Sequence, residues 1–192
     1  TFLTNTLKRN KGWLTSFIIR NAIASMDSII CPSTSQREFP IQNGFDPKKI
    51  HFIQNGVDQE FFKPEEVSTD QGEGYILSVG KDMGRDYRTL IEAVRGFERK
   101  VIIICGKRNV PEGLDAPSNV EILFDVPQKE TLRYFRDALF VVLPTFAEES
   151  HLDASDCSGQ YVLLESMALG KAVIASERTT LKDYLEDNTN GM

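Results

Sequence analysis

The segment VIIIC at positions 101–105 is apolar at every position. A strand with one face in water alternates apolar and polar side chains. An unbroken apolar run instead fits a strand covered on both faces, as in a parallel sheet wrapped by helices. Similar short runs occur at Tyr75–Val79, Val120–Phe124, Leu139–Leu143 and Ala172–Ala175. Helix-period segments separate them. In Arg85–Arg99, residues Tyr87, Leu90, Ile91, Val94 and Phe97 repeat at the i, i+3, i+4, i+7 spacing of one buried stripe. Gln128–Ala138 carries Leu132 and Phe135 in the same manner, with Pro127 suited to a first turn. Gln160–Leu169 and Leu181–Glu186 complete the series. Strand and helix alternate in steps of roughly 20–25 residues, which predicts an α/β fold, a doubly wound parallel sheet.

The remaining composition narrows the function classes. With 192 residues, 41% of them hydrophobic, the chain can bury a real core, and disorder is not expected. A net charge of −6 argues against a dedicated nucleic-acid binder, which would show a basic excess. No window reaches about 18 uninterrupted apolar residues, so no spanning helix is expected. The start, TFLTNTLKRNKGW, lacks a small-residue cleavage site, so no signal peptide is expected. Cys31, Cys105 and Cys157 are odd in number and widely spaced. They form neither a disulfide framework nor a zinc pattern, and buried thiols in a reducing, cytoplasmic compartment are the plain reading.

Organisation changes along the chain. Residues 1–50 carry seven Lys or Arg against three Asp or Glu, whereas residues 51–70 carry one against five. Residues 61–74 are read as a linker on the polar, acidic, turn-rich stretch PEEVSTDQGEG, with a domain at 75–192 beyond it. Residues 1–60 repeat the strand-helix theme incompletely. A basic amphipathic helix near Leu14–Ser25 leads to SIICPS, a helix near Ser35–Asn43, and KIHFIQNG. So few strands make no sheet alone, and the segment reads as the tail of a larger domain. Lys8, Arg9 and Lys11 beside Trp13, Phe17, Ile18 and Ile19 suit a membrane-surface face at the inner side of a bilayer. The plainer reading is a helix packed on its own sheet.

Two loops carry the chemistry. In open parallel sheets, ligands sit beyond the carboxyl ends of the strands. After Tyr75–Val79 comes SVGKDMGRDY, where Gly80 lets a phosphate approach the backbone and Lys81 and Arg85 could neutralise it. A glycine turn with two solvated cations explains the same pattern. The second feature is SGQYVLLESMALGKAVIAS. Ser158 and Gly159 fit a helix start, whose unpaired N–H groups and dipole favour an anion. Helical side chains lean toward the N-terminus, so Glu165 angles back to that mouth. There its carboxylate can accept hydrogen bonds from two neighbouring hydroxyls, as a ribose offers. A solvated glutamate is the alternative.

These segments also resemble a known family. QYVLLESMALGKAVIAS is similar to the glutamate-bearing helix and following strand of retaining, family 4 glycosyltransferases with the GT-B fold. KIHFIQNGVDQEFFKP resembles their interdomain segment, SVGKDMGRDYRTLIEAV their first donor-domain strand, loop and helix, and LFDVPQKETLRYFRDALFVVLPT their base-side loop with its helix and strand. SIICPSTSQREF looks like the end of the acceptor domain. The resemblance implies a nucleotide-sugar donor site on a Rossmann-like half of a GT-B fold, truncated at both ends. UDP-sugar is the first expectation for the donor. It makes Glu165 the ribose-binding acid and assigns the amides of Leu163 and Leu164 to the diphosphate. Arg85 and Lys81 fall on the family's phosphate-binding cations, and Asp125, Val126 and Pro127 line the base. The acceptor is an unidentified glycan, lipid-linked or small-molecule hydroxyl. No DxD triplet occurs, so neither a metal nor another cofactor is expected.

Three departures accompany the resemblance. The family places a sugar-contacting glutamate eight residues before the ribose-binding one, and here that position is Cys157. A thiol does not replace a carboxylate acceptor; Glu148, Glu149, Asp153 and Asp156 are candidate substitutes, or a solvated acidic loop. Most of the acceptor domain, with its histidine near the reaction centre, is missing from the sequence. His51 reads as a packed strand residue and His151 as loop decoration. The chain stops at NTNGM, where the family continues, so a fragment is expected. The competing reading is a non-catalytic nucleotide-binding or partner-binding module.

Overall fold

The computed structural model describes residues 12–64, 74–110, 113–147, 157–186 and 189. Lys8, Arg9, Lys11, Glu148, Glu149, His151, Asp153, Asp156 and most of the linker lie outside the described residues.

Five parallel strands form the main sheet: β3 (Tyr75–Gly80), β4 (Val101–Cys105), β5 (Val120–Phe124), β6 (Ala138–Leu143) and β7 (Ala172–Ala175). Their order is β5-β4-β3-β6-β7, so the chain runs outward from β3 to one edge, then returns to β6 on the other side. All five residues of β4 are buried, as an apolar strand in mid-sheet requires. Ile102 and Ile104 join one core cluster with Leu77, Leu132, Phe135, Val141, Leu143 and Leu163. Val101, Ile103 and Cys105 join the other, with Ile76, Tyr87, Leu90 and Ile91. The period of two thus divides a uniformly apolar strand between two helix layers. The sheet is the parallel, helix-flanked α/β arrangement that the sequence predicts.

Helices α3 (Tyr87–Ala93), α4 (Gln128–Asp137) and α5 (Gln160–Ala168) cover this sheet. Helix α3 starts at Asp86, whose carboxylate accepts from the Thr89 amide at 3.0 Å and hydroxyl at 2.6 Å. It is much shorter than the apolar stripe predicts. Gly96 takes a left-handed φ of 83°, the chain turns away, and Phe97 is 53% exposed instead of buried. The helix expected at Leu181–Glu186 is only a 3-10 turn, Thr179–Leu181.

The N-terminal residues form a smaller unit. Helix α1 (Trp13–Ala24), β1 (Ile29–Cys31), α2 (Thr34–Gln42) and β2 (Ile50–Phe52) make a parallel two-stranded sheet with a core of Ile23, Cys31, Phe45 and Ile50. Helix α1 uses one edge for this packing and leaves Trp13, Leu14, Phe17 and Ile18 exposed. A cleft of about 470 Å³ lies beside α1, between Phe17, Arg20, Phe45 and Lys49. His51 is exposed, contrary to the packed role expected of it. It pairs in register with exposed Ile30 on a strand face that no described element covers. Cys31 and Cys105 are buried free thiols. No helix among the described residues is long and apolar enough to cross a membrane.

Side chains knit the two units. Asp183 accepts from the Thr34 amide and hydroxyl, both at 2.7 Å, capping α2 from outside. The Tyr184 hydroxyl donates to the Pro32 carbonyl at 2.7 Å and accepts from the Asn55 amide at 2.9 Å.

Replacing fully buried Ile91 with Ala should cost about 2–5 kcal/mol in urea unfolding. Phe97→Ala should stay within about 0.5 kcal/mol, although both residues belong to one stripe in the sequence.

Candidate functional site

Strand order reverses between β3 and β6, the switch point beside which open α/β sheets bind their ligands. Backbone hydrogen bonds stitch the loops after these two strands together. Arg85 and Thr145 form an antiparallel bridge. The Asp86 amide donates to the Pro144 carbonyl at 3.1 Å, and the Phe146 amide to the Gly84 carbonyl at 2.9 Å. Tyr87 donates its buried hydroxyl to the Gly80 carbonyl at 2.7 Å, which fixes the end of β3.

Arg85 lies at this switch point. It is 4% exposed, and its Nε and Nη1 have no hydrogen-bond partner among the described residues. Two glycines make the room. A Cβ at Gly80 would collide with the guanidinium, and one at Gly159 would come within 3.4 Å of Nη1. Burial lowers the Arg85 pKa, opposed by Tyr87, Asp82 and Glu165, while nearby Arg178 adds to the lowering. Guanidinium nonetheless stays protonated, so a charge is held out of water without a hydrogen-bonded counter-ion. Such an arrangement costs several kcal/mol and suits an incoming anion. Thr145 Oγ1 and Ser158 Oγ are also buried without partners among the described residues.

Helix α5 begins beside the Arg85 guanidinium. Gly159 is its N-cap at a left-handed φ of 94°, and the Ser158 hydroxyl makes no capping bond among the described residues. The Gln160 amide donates to the Cys157 carbonyl at 3.2 Å, and the Leu163 amide to the Gly159 carbonyl at 2.9 Å. The Leu163 amide, expected at the diphosphate, is therefore committed to the helix, and Leu164 lies one residue deeper. The amides of Tyr161 and Val162 are the ones with no bond among the described residues. Gln160 is fully buried and anchors the helix start: its Nε2 donates to the Thr180 carbonyl, and its Oε1 accepts from Asn55, both at 2.9 Å.

Glu165 lies one turn further in. Desolvation pushes its carboxyl up to about 7, against a hydrogen bond from Gln128 and the charge of Arg85. The Gln128 contact places Glu165 beside the β5–α4 loop, Asp125–Val126–Pro127. Asp125 has a left-handed φ of 54°, tolerable for Asp, and its amide donates to the Cys105 carbonyl at 3.0 Å. Val126 packs on the main core, while Pro127 is exposed. Lys81, expected to neutralise phosphate with Arg85, instead pairs with Asp125 at 3.1 Å, both side chains half in solvent.

Several members of the site carry no sequence signal. Arg178 is 3% exposed just beyond β7 and donates from Nη1 to the Phe146 carbonyl at 2.8 Å. Thr145, Arg178 and Asn55 reach the site only through tertiary contacts. Cys157 is half-buried, and its thiol donates to Gln36 Oε1 at 3.3 Å.

A family model described as "Glycosyl transferases group 1" matches residues 73–192. The chain belongs to this family. Alpha-maltose-1-phosphate synthase of Mycolicibacterium smegmatis is 23% identical over 93% of this chain and 51% of its own length. The structure of Anabaena HepE in complex with UDP and glucose is similar, with a TM-score of 0.72 at 17% identity, over 95% of this chain and 53% of that one. The catalytic domain of Arabidopsis thaliana starch synthase IV, bound to ADP and acarbose, gives a TM-score of 0.60 at 13% identity, over 89% and 43%. The chain thus spans about half the length of these relatives, and its fold is the Rossmann-like unit of GT-B.

The raised Glu165 pKa makes a stability prediction. Its folded-state value lies above the ordinary one, so its stabilising share is complete below about 4.5 and is lost as pH rises through about 7. Relative to Glu165→Gln, the wild-type chain should lose stability between pH 5 and 8, read as a widening gap in melting temperature.

Proposed function

We propose that this chain is the donor-binding part of a retaining family 4 glycosyltransferase that takes a nucleoside diphosphate sugar, with UDP-sugar the first candidate. The observation that carries the proposal is Arg85: a dry, unpartnered guanidinium at the switch point, beside the start of α5. A diphosphate supplies the missing negative charge. In this reading the free amides of Tyr161 and Val162 share the load, and Glu165 accepts two ribose hydroxyls. The Asp125–Pro127 loop borders the base, held by the Lys81–Asp125 pair.

The proposed chemistry is transfer of the sugar to an acceptor hydroxyl on a glycan, lipid-linked or small-molecule acceptor, with the anomeric configuration retained. The acceptor is held against a companion domain. As the glycosidic bond breaks, charge grows on the departing diphosphate. Fixed donors in a dry site stabilise that charge without reorganising, a contribution often worth about 3–4 kcal/mol per donor. Cys157, where the resemblance implies an acid, favours the second reading, a module that binds the nucleotide without transfer. That reading predicts binding but no product from any donor.

Calorimetry with UDP and ADP tests the proposal. Arg85→Met should weaken UDP by at least about tenfold while raising the melting temperature of the free chain, since it removes a buried unpaired charge. UMP should lose less than UDP. At pH 7 binding should release protons from Glu165, seen as a heat that varies with the buffer's ionisation enthalpy and disappears in Glu165→Gln. Equal weakening of uridine and UDP by Arg85→Met would place the guanidinium away from the diphosphate.

A further inference from the structure

The seam between the two units holds a second set of unused hydrogen-bonding groups. Gln36, on the first turn of α2, is 4% exposed. Its backbone amide donates to Ser33 Oγ at 3.2 Å, and its Oε1 accepts the Cys157 thiol at 3.3 Å. Its Nε2, with two N–H groups, has no partner among the described residues. Ser158, the neighbour of Cys157, is 1% exposed, and its Oγ is equally unpartnered. Elsewhere this seam is satisfied: Thr34, Asn55, Gln160, Asp183 and Tyr184 all find partners across it or within it.

Buried polar groups in native folds are paired with few exceptions, and each exception calls for a ligand or a role. An amide NH2 and a hydroxyl together ask for oxygen atoms that accept from the amide and exchange with the hydroxyl. Neither unpartnered group is charged, so the oxygens of hydroxyl groups match them without a charge to balance. The next residue, Gly159, lies against the Arg85 guanidinium. The unpartnered groups therefore adjoin the diphosphate end of the site rather than the Glu165 end.

We propose that Gln36 and Ser158 form the subsite that reads the hydroxyls of the sugar esterified to the diphosphate. The inference rests on the proposed function and deepens it. It assigns sugar recognition to an amide from the N-terminal unit and a hydroxyl from the donor unit, in place of a carboxylate at position 157. Donor binding then draws on both units, since Gln36 reaches the sugar only while α2 is seated on the Thr179–Tyr184 segment.

The test is calorimetry of the full chain with UDP, UDP-glucose, UDP-galactose, ADP and ADP-glucose. It compares the wild-type chain with Gln36→Met and Gln36→Leu. The quantity read is the gain in affinity of each sugar nucleotide over its parent. Either substitution should cut that gain by about tenfold and leave the parent within about twofold. Melting temperature should not fall, because the orphaned amide is removed with the bond. The proposal is overturned if the gain is unchanged, if parent and sugar nucleotide weaken together, or if no sugar adds affinity in the wild-type chain. Failure of the wild-type chain to bind either parent nucleotide would instead remove the donor-site reading itself, and this inference with it.

Discussion

A positive charge shut away from water sets the terms for the rest of this structure. Arg85 is held at the carboxyl end of β3 by a backbone bridge to Thr145 and by two glycines that leave no side chain in its way. No bond from a described residue reaches its Nε or Nη1. A fold selected only for stability would replace such a group with an apolar side chain of the same shape. Its retention, the bare amides at the start of α5 and the raised acid of Glu165 point to one purpose. Each is uncomfortable in the free chain, and in the proposed reading each is relieved by a different portion of a single ligand.

The main sheet was largely legible in the sequence, because β-strands in mid-sheet leave a signal that competes with nothing else. Val101–Cys105 and Ala172–Ala175 appear within the predicted bounds, and β6 begins one residue early. Helices fared less well where their ends depend on backbone geometry. The apolar stripe through Phe97 is real as a pattern, yet Gly96 breaks the helix before Phe97 can join the core. His51 looked packed because its strand is apolar on either side, but no described element covers that face. Glu165 and Arg85 were visible through their loops and spacing. The Leu163 amide, assigned to the diphosphate from the sequence, bonds the Gly159 carbonyl, and only the observed cap at Gly159 shows which N–H groups the helix has already used. Thr145, Arg178 and Gln36 could not have been found, because each acquires its role only from a neighbour far away in the chain.

The seam between the units has two characters. Asp183, Tyr184, Asn55 and Gln160 form a closed set of hydrogen bonds that ties α2 to the segment after β7 and to the start of α5. Such satisfied networks specify one arrangement. Gln36 and Ser158 lie in the same seam and are left open. In the proposed reading, structural and functional polar groups are told apart by whether the fold has already supplied their partners.

A crystal structure of the chain with UDP tests the central claim most directly. The account places diphosphate oxygens within hydrogen-bond distance of Arg85 Nε and Nη1 and of the Tyr161 and Val162 amides, with both ribose hydroxyls on Glu165. A nucleotide seated elsewhere, or one at this site with Arg85 still making no contact to phosphate, would contradict it.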